Sequence, residues 1–183
     1  MSDVRLRHLP TAGLTSSEIV VIREIMRLAF RDDEDERFDD SDWEHALGGI
    51  HVVLDVDGEI VTHAAIVERE LHVDDRPLRT GYVEAVATSP ARQGEGFGSI
   101  VMTDVNEIIR ERYELGALGT GRHHFYQRLG WKTWDGPSFV RTPDGSRRTR
   151  DEDGYILVLA TPTSPPLYME ASISCEWRPG DVW

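Results

Sequence analysis

At 183 residues and 39% hydrophobic content, the chain is long enough to fill one core and short for two, which predicts a single domain over residues 1–183. Its 33 acidic residues against 20 basic ones leave a formal net charge of -13; that balance argues against nucleic acid and anionic membranes and favours a cationic partner, although an acidic surface also serves solubility alone. The lone cysteine, Cys175, excludes an internal disulfide framework and suits a reducing cytoplasm, and no apolar stretch approaches the ~20 residues of a membrane span.

In chain order, Met1-Ser2-Asp3-Val4-Arg5 lacks a signal-peptide core, so a cytosolic protein is expected. Thr15-Ser16-Ser17-Glu18 has capping-box spacing, and Ile19, Ile22, Ile25, Met26 and Ala29 follow with helical period, predicting a first helix. An acidic run then interrupts the apolar pattern: Asp32, Asp33, Glu34, Asp35, Glu36, Asp39, Asp40 and Asp42. Ser41-Asp42-Trp43-Glu44 offers a second capping box, for a short helix ending near Gly48-Gly49. Asp57-Gly58 between two apolar runs, 50–56 and 59–68, is a hairpin signal. A turn at Asp74-Asp75-Arg76-Pro77 leads into a strand ending near Thr88, which completes three antiparallel strands in succession.

That last strand runs into Gln93-Gly94-Glu95-Gly96-Phe97-Gly98-Ser99. Glycines there let backbone N–H groups approach a ligand closely, and a following helix adds its positive end, an arrangement suited to a pyrophosphate. A dinucleotide fingerprint would need glycine where Ser99 stands, and an NTPase phosphate loop would need a Gly-Lys-Ser/Thr ending; neither is present. The helix after the loop carries Phe97, Val101, Val105, Ile108 and Ile109 on one face. Leu115-Gly116-Ala117-Leu118 reads as a buried strand parallel to the one before that helix. Arg122 to Trp131 reads as a two-turn helix closed by Gly130. Residues 141–154 read as a long polar loop, and 155–160 and 171–177 as the last strands. The predicted order is β-β-β-α-β-α-β-β behind two helices: a mixed α/β fold around a mostly antiparallel sheet with one parallel crossover.

The loop 93–98 and the later run Phe125-Tyr126-Gln127-Arg128-Leu129-Gly130-Trp131 together resemble the GNAT superfamily of acetyl-CoA-dependent N-acetyltransferases. Asp42-Trp43-Glu44-His45, Leu47-Gly48-Gly49, Gly81-Tyr82-Val83-Glu84, residues 113–118 and the ending Cys175-Glu176-Trp177-Arg178-Pro179-Gly180-Asp181-Val182-Trp183 resemble, within it, the aminoglycoside 2′-N-acetyltransferases. The resemblance implies the GNAT fold, acetyl-CoA as co-substrate without a metal, an aminoglycoside as cationic substrate, and a homodimer. For the coenzyme it implies contacts from Val86, Thr88, Gln93, Gly94, Gly96, Gly98 and Ser99. For the aminoglycoside it implies a C-terminus folded into the substrate site and contacts from Ala85 and from Asp42, Glu84, Asp181 and the Trp183 terminus, whose carboxylates suit ammonium groups, together with Asp153 or its neighbours Asp151 and Glu152 from the long loop. Two departures touch substrate contacts: Arg37 stands just ahead of Phe38 where relatives carry an acidic residue, and Gly119 stands where relatives offer a serine.

An amine attacks a thioester only when unprotonated, so a base and an acid are required. Glu84 is the candidate base, directly or through one water, because desolvation in a cleft favours proton uptake by a carboxylate. Tyr126 is the candidate acid toward the departing thiolate, ahead of His123 and His124. The Val86 N–H can polarise the thioester carbonyl, and the backbone at 86 and 88 can pair with the pantetheine arm as an added strand. Cys175 has no histidine beside it in sequence, which favours direct transfer over an acyl-enzyme. The alternatives are a GNAT enzyme for another polycationic amine and a non-catalytic acetyl-CoA- or aminoglycoside-binding module.

Overall fold

In the computed structural model, residues 3–32 and 37–183 are described, so Asp33, Glu34, Asp35 and Glu36 of the acidic run lie outside the described residues. The chain divides into two compact units, one formed by Met1–Val67 with Val83–Val105 and the other by Glu68–Tyr82 with Asn106–Trp183.

The first unit opens with a strand absent from the sequence-based expectation, β1 (Val4–Pro10). No residue of β1 is fully buried, so it lacks the apolar alternation that marks a half-buried strand. It is held by antiparallel pairing to β2 (Ile50–Val56), from Val4 opposite Val56 to Pro10 opposite Ile50. Arg7 reinforces it with ion pairs to Asp55 at 2.6 Å and Glu18 at 2.8 Å. Helix α1 (Ser16–Ala29) starts at the expected capping box, with Thr15 accepting from the Glu18 N–H. Helix α2 (Asp40–Ala46) starts two residues earlier than expected: Asp39 is its cap and Asp42 completes the box. A carboxylate at 39 reaches the N–H groups of both Ser41 and Asp42, so Ser41 falls inside the first turn. β2 pairs antiparallel with the first part of β3 (Glu59–Val73) across the Asp57-Gly58 turn. The apolar faces of both helices meet the sheet through Leu14, Ile22, Ile25, Met26, Trp43, Ala46, Val53, Ala65 and Ala87.

The second unit contains the rest of β3, the start of β4 (Arg76–Thr88), and β5 (Leu115–Gly119), parallel to β4 with Thr80 opposite Leu115. A parallel pair needs a crossover, and α3 (Phe97–Arg112) supplies it. Helix α4 (His123–Gln127) is shorter than expected, with Gly130 at φ 95° ending the segment. The remaining strands are β6 (Lys132–Thr133), β7 (Ser138–Thr142), β8 (Gly145–Arg148), β9 (Ile156–Ala160) and β10 (Ile173–Glu176), in the order β6-β9-β5-β4-β3-β10-β7-β8.

The expected polar loop over 141–154 is therefore half wrong: β7 and β8 form a hairpin around Pro143-Asp144. Every residue of β8 is exposed or half-exposed, so its polarity reflects an edge strand rather than a loop. β7 is anchored by a second parallel pairing, to β10, which one crossover did not anticipate.

Candidate active site

In the first unit, the end of β4 carries Glu84, Ala85 and Val86 as half-buried residues. Ala85 has φ 50°, a left-handed conformation that costs a side-chain-bearing residue about 1–2 kcal/mol. Glu84 and Val86 flank this residue directly. Thr88 accepts from the Thr62 hydroxyl at 3.1 Å, and its carbonyl accepts from the Gln93 amide at 3.2 Å, which ties the start of the loop to the strand end. Arg92 pairs with Glu95 at 2.7 Å.

Gly94 and Gly96 then take φ 84° and 87°, and a Cβ at either would meet nothing within 4 Å. The loop is thus an open cradle, with space that side chains would fill. Helix α3 follows at once, with no acidic residue in its first turn, and its first N–H groups lack intrahelical partners. Gly98 and Ser99 lie in that turn, where the Ser99 N–H donates to the Gly96 carbonyl at 3.1 Å.

Two histidines that sequence reasoning passed over lie behind Ala85. His63 Nδ1 is 2.8 Å from the Ala85 carbonyl, and His63 Nε2 is 2.8 Å from His51 Nδ1. Both rings are fully buried and sit within about 6 Å of the Trp43 ring. Burial pushes His51 down to about 4 and His63 to about 3, with the neighbouring ring a further cause for His63. Two histidines set beside apolar runs, His51 before Val52-Val53-Leu54 and His63 before Ala64-Ala65-Ile66-Val67, were a legible signal, since a buried polar side chain requires a partner. Asp42, expected near the substrate, accepts the Asp39 N–H at 2.8 Å.

The sign of the histidine shifts sets an acid limit. Folded pKa values below the ordinary 6.5 mean that the unfolded chain takes up protons first. Stability is therefore full above about pH 6.5 and falls as pH drops toward 4 and 3. At about 1.4 kcal/mol per unit, the pair makes several kcal/mol pH-dependent. The melting temperature should fall steeply between pH 6.5 and pH 4, and a flat profile there would contradict buried neutral rings.

The second unit holds the other expected site residues. Tyr126 is buried, edge-on to Phe125 and Trp131 at centroid distances of 4.9 and 6.2 Å. Trp131 donates to Asn106 Oδ1 at 2.9 Å, which anchors this segment to α3. His123 bonds the Gly154 carbonyl at 2.6 Å.

The C-terminus is a docked element. Trp183 is 4% exposed and its indole N–H donates to Thr149 Oγ1 at 3.0 Å. Arg178 donates to the Asp181 carbonyl at 2.7 Å and to a Trp183 oxygen at 3.2 Å. Arg69, buried beneath, donates to the Val182 carbonyl at 2.8 Å and the Glu176 carboxylate at 2.9 Å, with its guanidinium 4.6 Å from the Tyr82 ring centroid. Neither arginine was identified from sequence. A Cβ at Gly119 would lie 3.8 Å from the Trp183 carboxyl carbon.

Asp153, expected to reach the substrate, instead binds within the protein: it accepts from Arg148, from Ser138 Oγ at 2.9 Å and from the Ser138 N–H at 3.2 Å. Those bonds, Arg148 first, hold it at about 2. Glu152 differs: burial, and then the charges of Asp181, Asp151 and Asp153, push its pKa up. Such a concentration of negative charge favours a cation. Cys175 donates to the Val182 carbonyl at 3.2 Å, and burial pushes its thiol up to about 11, so it is a poor nucleophile. Among the described residues no cluster of His, Cys, Asp and Glu forms a metal-binding group, and no helix is long and apolar enough to cross a membrane.

Residues 12–134 match the family model of the acetyltransferase (GNAT) domain. The chain belongs to the GNAT acetyltransferase family. A curated protein of Mycolicibacterium fortuitum, an aminoglycoside 2′-N-acetyltransferase, is 43% identical over 151 residues, 80% of this chain and 77% of its own. A GNAT acetyltransferase of Brucella melitensis, solved in complex with acetyl-CoA, superposes with a TM-score of 0.62 at 18% identity, covering 93% of this chain and 94% of its own. A GNAT protein of Kribbella flavida superposes with a TM-score of 0.60 at 20% identity over 74% of this chain. This chain spans only 34% of that protein's length.

As a GNAT N-acetyltransferase, the chain uses acetyl-CoA, and its open glycine cradle ahead of α3 fits a pyrophosphate. Gly96→Val should raise the acetyl-CoA KM, because a β-branched residue both resists φ 87° and fills the cradle. Unchanged acetyl-CoA affinity by calorimetry in a folded variant would remove this loop from the coenzyme site.

Proposed function

We propose that this enzyme transfers an acetyl group from acetyl-CoA to the 2′-amine of aminoglycosides. The 43% identity to the Mycolicibacterium fortuitum enzyme carries the reading. The docked C-terminus, with Asp181 raising the proton affinity of Glu152, supports it, because that charge suits an ammonium-rich sugar.

When bound, acetyl-CoA supplies the activated acyl carbon and a thiolate leaving group. Gln93, Gly94, Gly96, Gly98 and Ser99 would hold its pyrophosphate, and the backbone of Val86 and Thr88 its pantetheine arm. Glu84 takes the proton that an ammonium must lose before attacking, and the Tyr126 phenol holds the proton destined for the sulfur. The Val86 N–H polarises the carbonyl under attack. Ala85, Asp42, Glu152, Asp181 and the Trp183 carboxylate orient the amine; Asp153 acts through the loop it braces. The high thiol pKa of Cys175 supports direct attack over an acyl-enzyme.

The same reading carries one catalytic domain, a homodimer, a cytoplasmic setting and aminoglycoside resistance. Thiol release from acetyl-CoA, measured with aminoglycosides bearing a 2′-amine beside others bearing a 2′-hydroxyl, tests it. Turnover with the first group alone is expected. Equal turnover with both groups would show another regiochemistry, and none with either would move the substrate to another amine.

A further inference from the structure

The two buried histidines belong to a longer chain of hydrogen bonds whose direction is set by its ends. At one end the Gly48 N–H donates to Thr11 Oγ1 at 2.9 Å. Thr11 Oγ1 is 2.8 Å from His51 Nε2, His51 Nδ1 is 2.8 Å from His63 Nε2, and His63 Nδ1 is 2.8 Å from the Ala85 carbonyl. A carbonyl oxygen only accepts, so the hydrogen there lies on His63 Nδ1. A neutral imidazole carries one ring hydrogen, which leaves His63 Nε2 an acceptor and puts the next hydrogen on His51 Nδ1. By the same rule His51 Nε2 accepts, and the Thr11 hydroxyl donates to it. Both rings are buried and held neutral by that burial, which the rule requires.

Bonds aligned head to tail polarise one another, and their last donor acts on the residue with the strained backbone. Ala85 keeps φ 50° although alanine disfavours it. Such a conformation persists only where the surroundings over-determine it. The relay offers such a constraint, through the hydrogen bond that His63 Nδ1 donates to the Ala85 carbonyl at 2.8 Å. Glu84 and Val86 are the residues on either side.

We propose that Thr11, His51 and His63 are positioning residues for acetyl transfer, holding Ala85 in its left-handed conformation and thereby aiming the Glu84 carboxylate and the Val86 N–H. The inference rests on the roles given to Glu84 and Val86 above. None of the three need touch a substrate, and no proton passes along the chain, because its last acceptor is a backbone carbonyl.

Two measurements test it. Nitrogen-15 spectra of the wild-type protein near neutral pH should show His51 and His63 both neutral with the hydrogen on Nδ1; a His63 hydrogen on Nε2 overturns the relay. His63→Phe keeps a planar ring and removes the donor, so kcat should fall about tenfold to 10²-fold, as for a misplaced catalytic group, with the acetyl-CoA KM nearly unchanged. Adding Ala85→Gly should recover part of that loss, because glycine takes a positive φ without a Cβ penalty. A purely stabilising role would lower the melting temperature and leave kcat of the folded enzyme intact, which also overturns the proposal. Should the His63 variant not fold, Thr11→Val breaks the relay at its first link, and an unchanged kcat in that folded variant overturns the positioning role. Wild-type enzyme inert toward every aminoglycoside would sink the substrate reading, and the spectra would still judge the relay.

Discussion

Glu84→Gln should lower turnover by about 10²- to 10⁴-fold, the span for a positioned base, while both substrates still bind. Glutamine keeps the size and one acceptor oxygen of the carboxylate and loses its capacity to take a proton. Half-buried beside the strained Ala85, the side chain is set by the backbone rather than by a loop. The deficit should shrink as pH rises, since more substrate amine is then already unprotonated. Tyr126→Phe, by contrast, should be milder if water replaces the phenol, because its ring packs against Phe125 and Trp131 in either case. Wild-type rates for both variants across pH would strike out both roles. A loss in Glu84→Gln confined to the aminoglycoside KM, with kcat intact, would assign the carboxylate to substrate charge rather than to proton transfer.

Deleting Asp181–Trp183 should reduce aminoglycoside kcat/KM at least about tenfold, since charge-assisted hydrogen bonds are worth roughly 1.5–3 kcal/mol each. The docked C-terminus adds a second consequence. Trp183 is buried, and Val182 accepts from Arg69 and Cys175, so deletion also removes packing and leaves a buried guanidinium short of a partner. A large buried aromatic is worth about 3–5 kcal/mol, so the melting temperature should fall too. Asp181→Asn separates the two effects. Its Oδ1 accepts the Trp183 N–H at 3.2 Å, a bond that asparagine retains, and its side chain is exposed. That variant should keep its melting temperature and acetyl-CoA affinity, lose aminoglycoside kcat/KM, and ease the proton affinity of Glu152. Full aminoglycoside efficiency in both variants would make the tail a structural clasp alone.

Local chemistry made much of this molecule legible in its sequence. The Thr15 capping box, the Asp57-Gly58 hairpin and the glycines before α3 each follow from bonds or dihedrals set within a few residues, and each stands where expected. The parallel placement of β5 beside β4 follows from a helix of the right length between two apolar runs. The family resemblance rested on the same local motifs, and the GNAT match over residues 12–134 bears it out.

Tertiary structure decided what depends on partners distant in sequence. β1 is a strand because β2 lies beside it, and β7 and β8 form a hairpin anchored by β10; the residues of β1 and β8 are too exposed or too polar to declare it. Only folding shows that Asp153 is bound by Arg148 and Ser138 while Glu152 and Asp181 concentrate charge. The same holds for Thr11, His51, His63 and Ala85, spread over 75 positions yet joined end to end by hydrogen bonds about 2.8 Å long. Sequence fixes short-range geometry because capping and turn bonds close within one turn of chain, whereas a buried polar group takes whichever partner the packed strands bring to it.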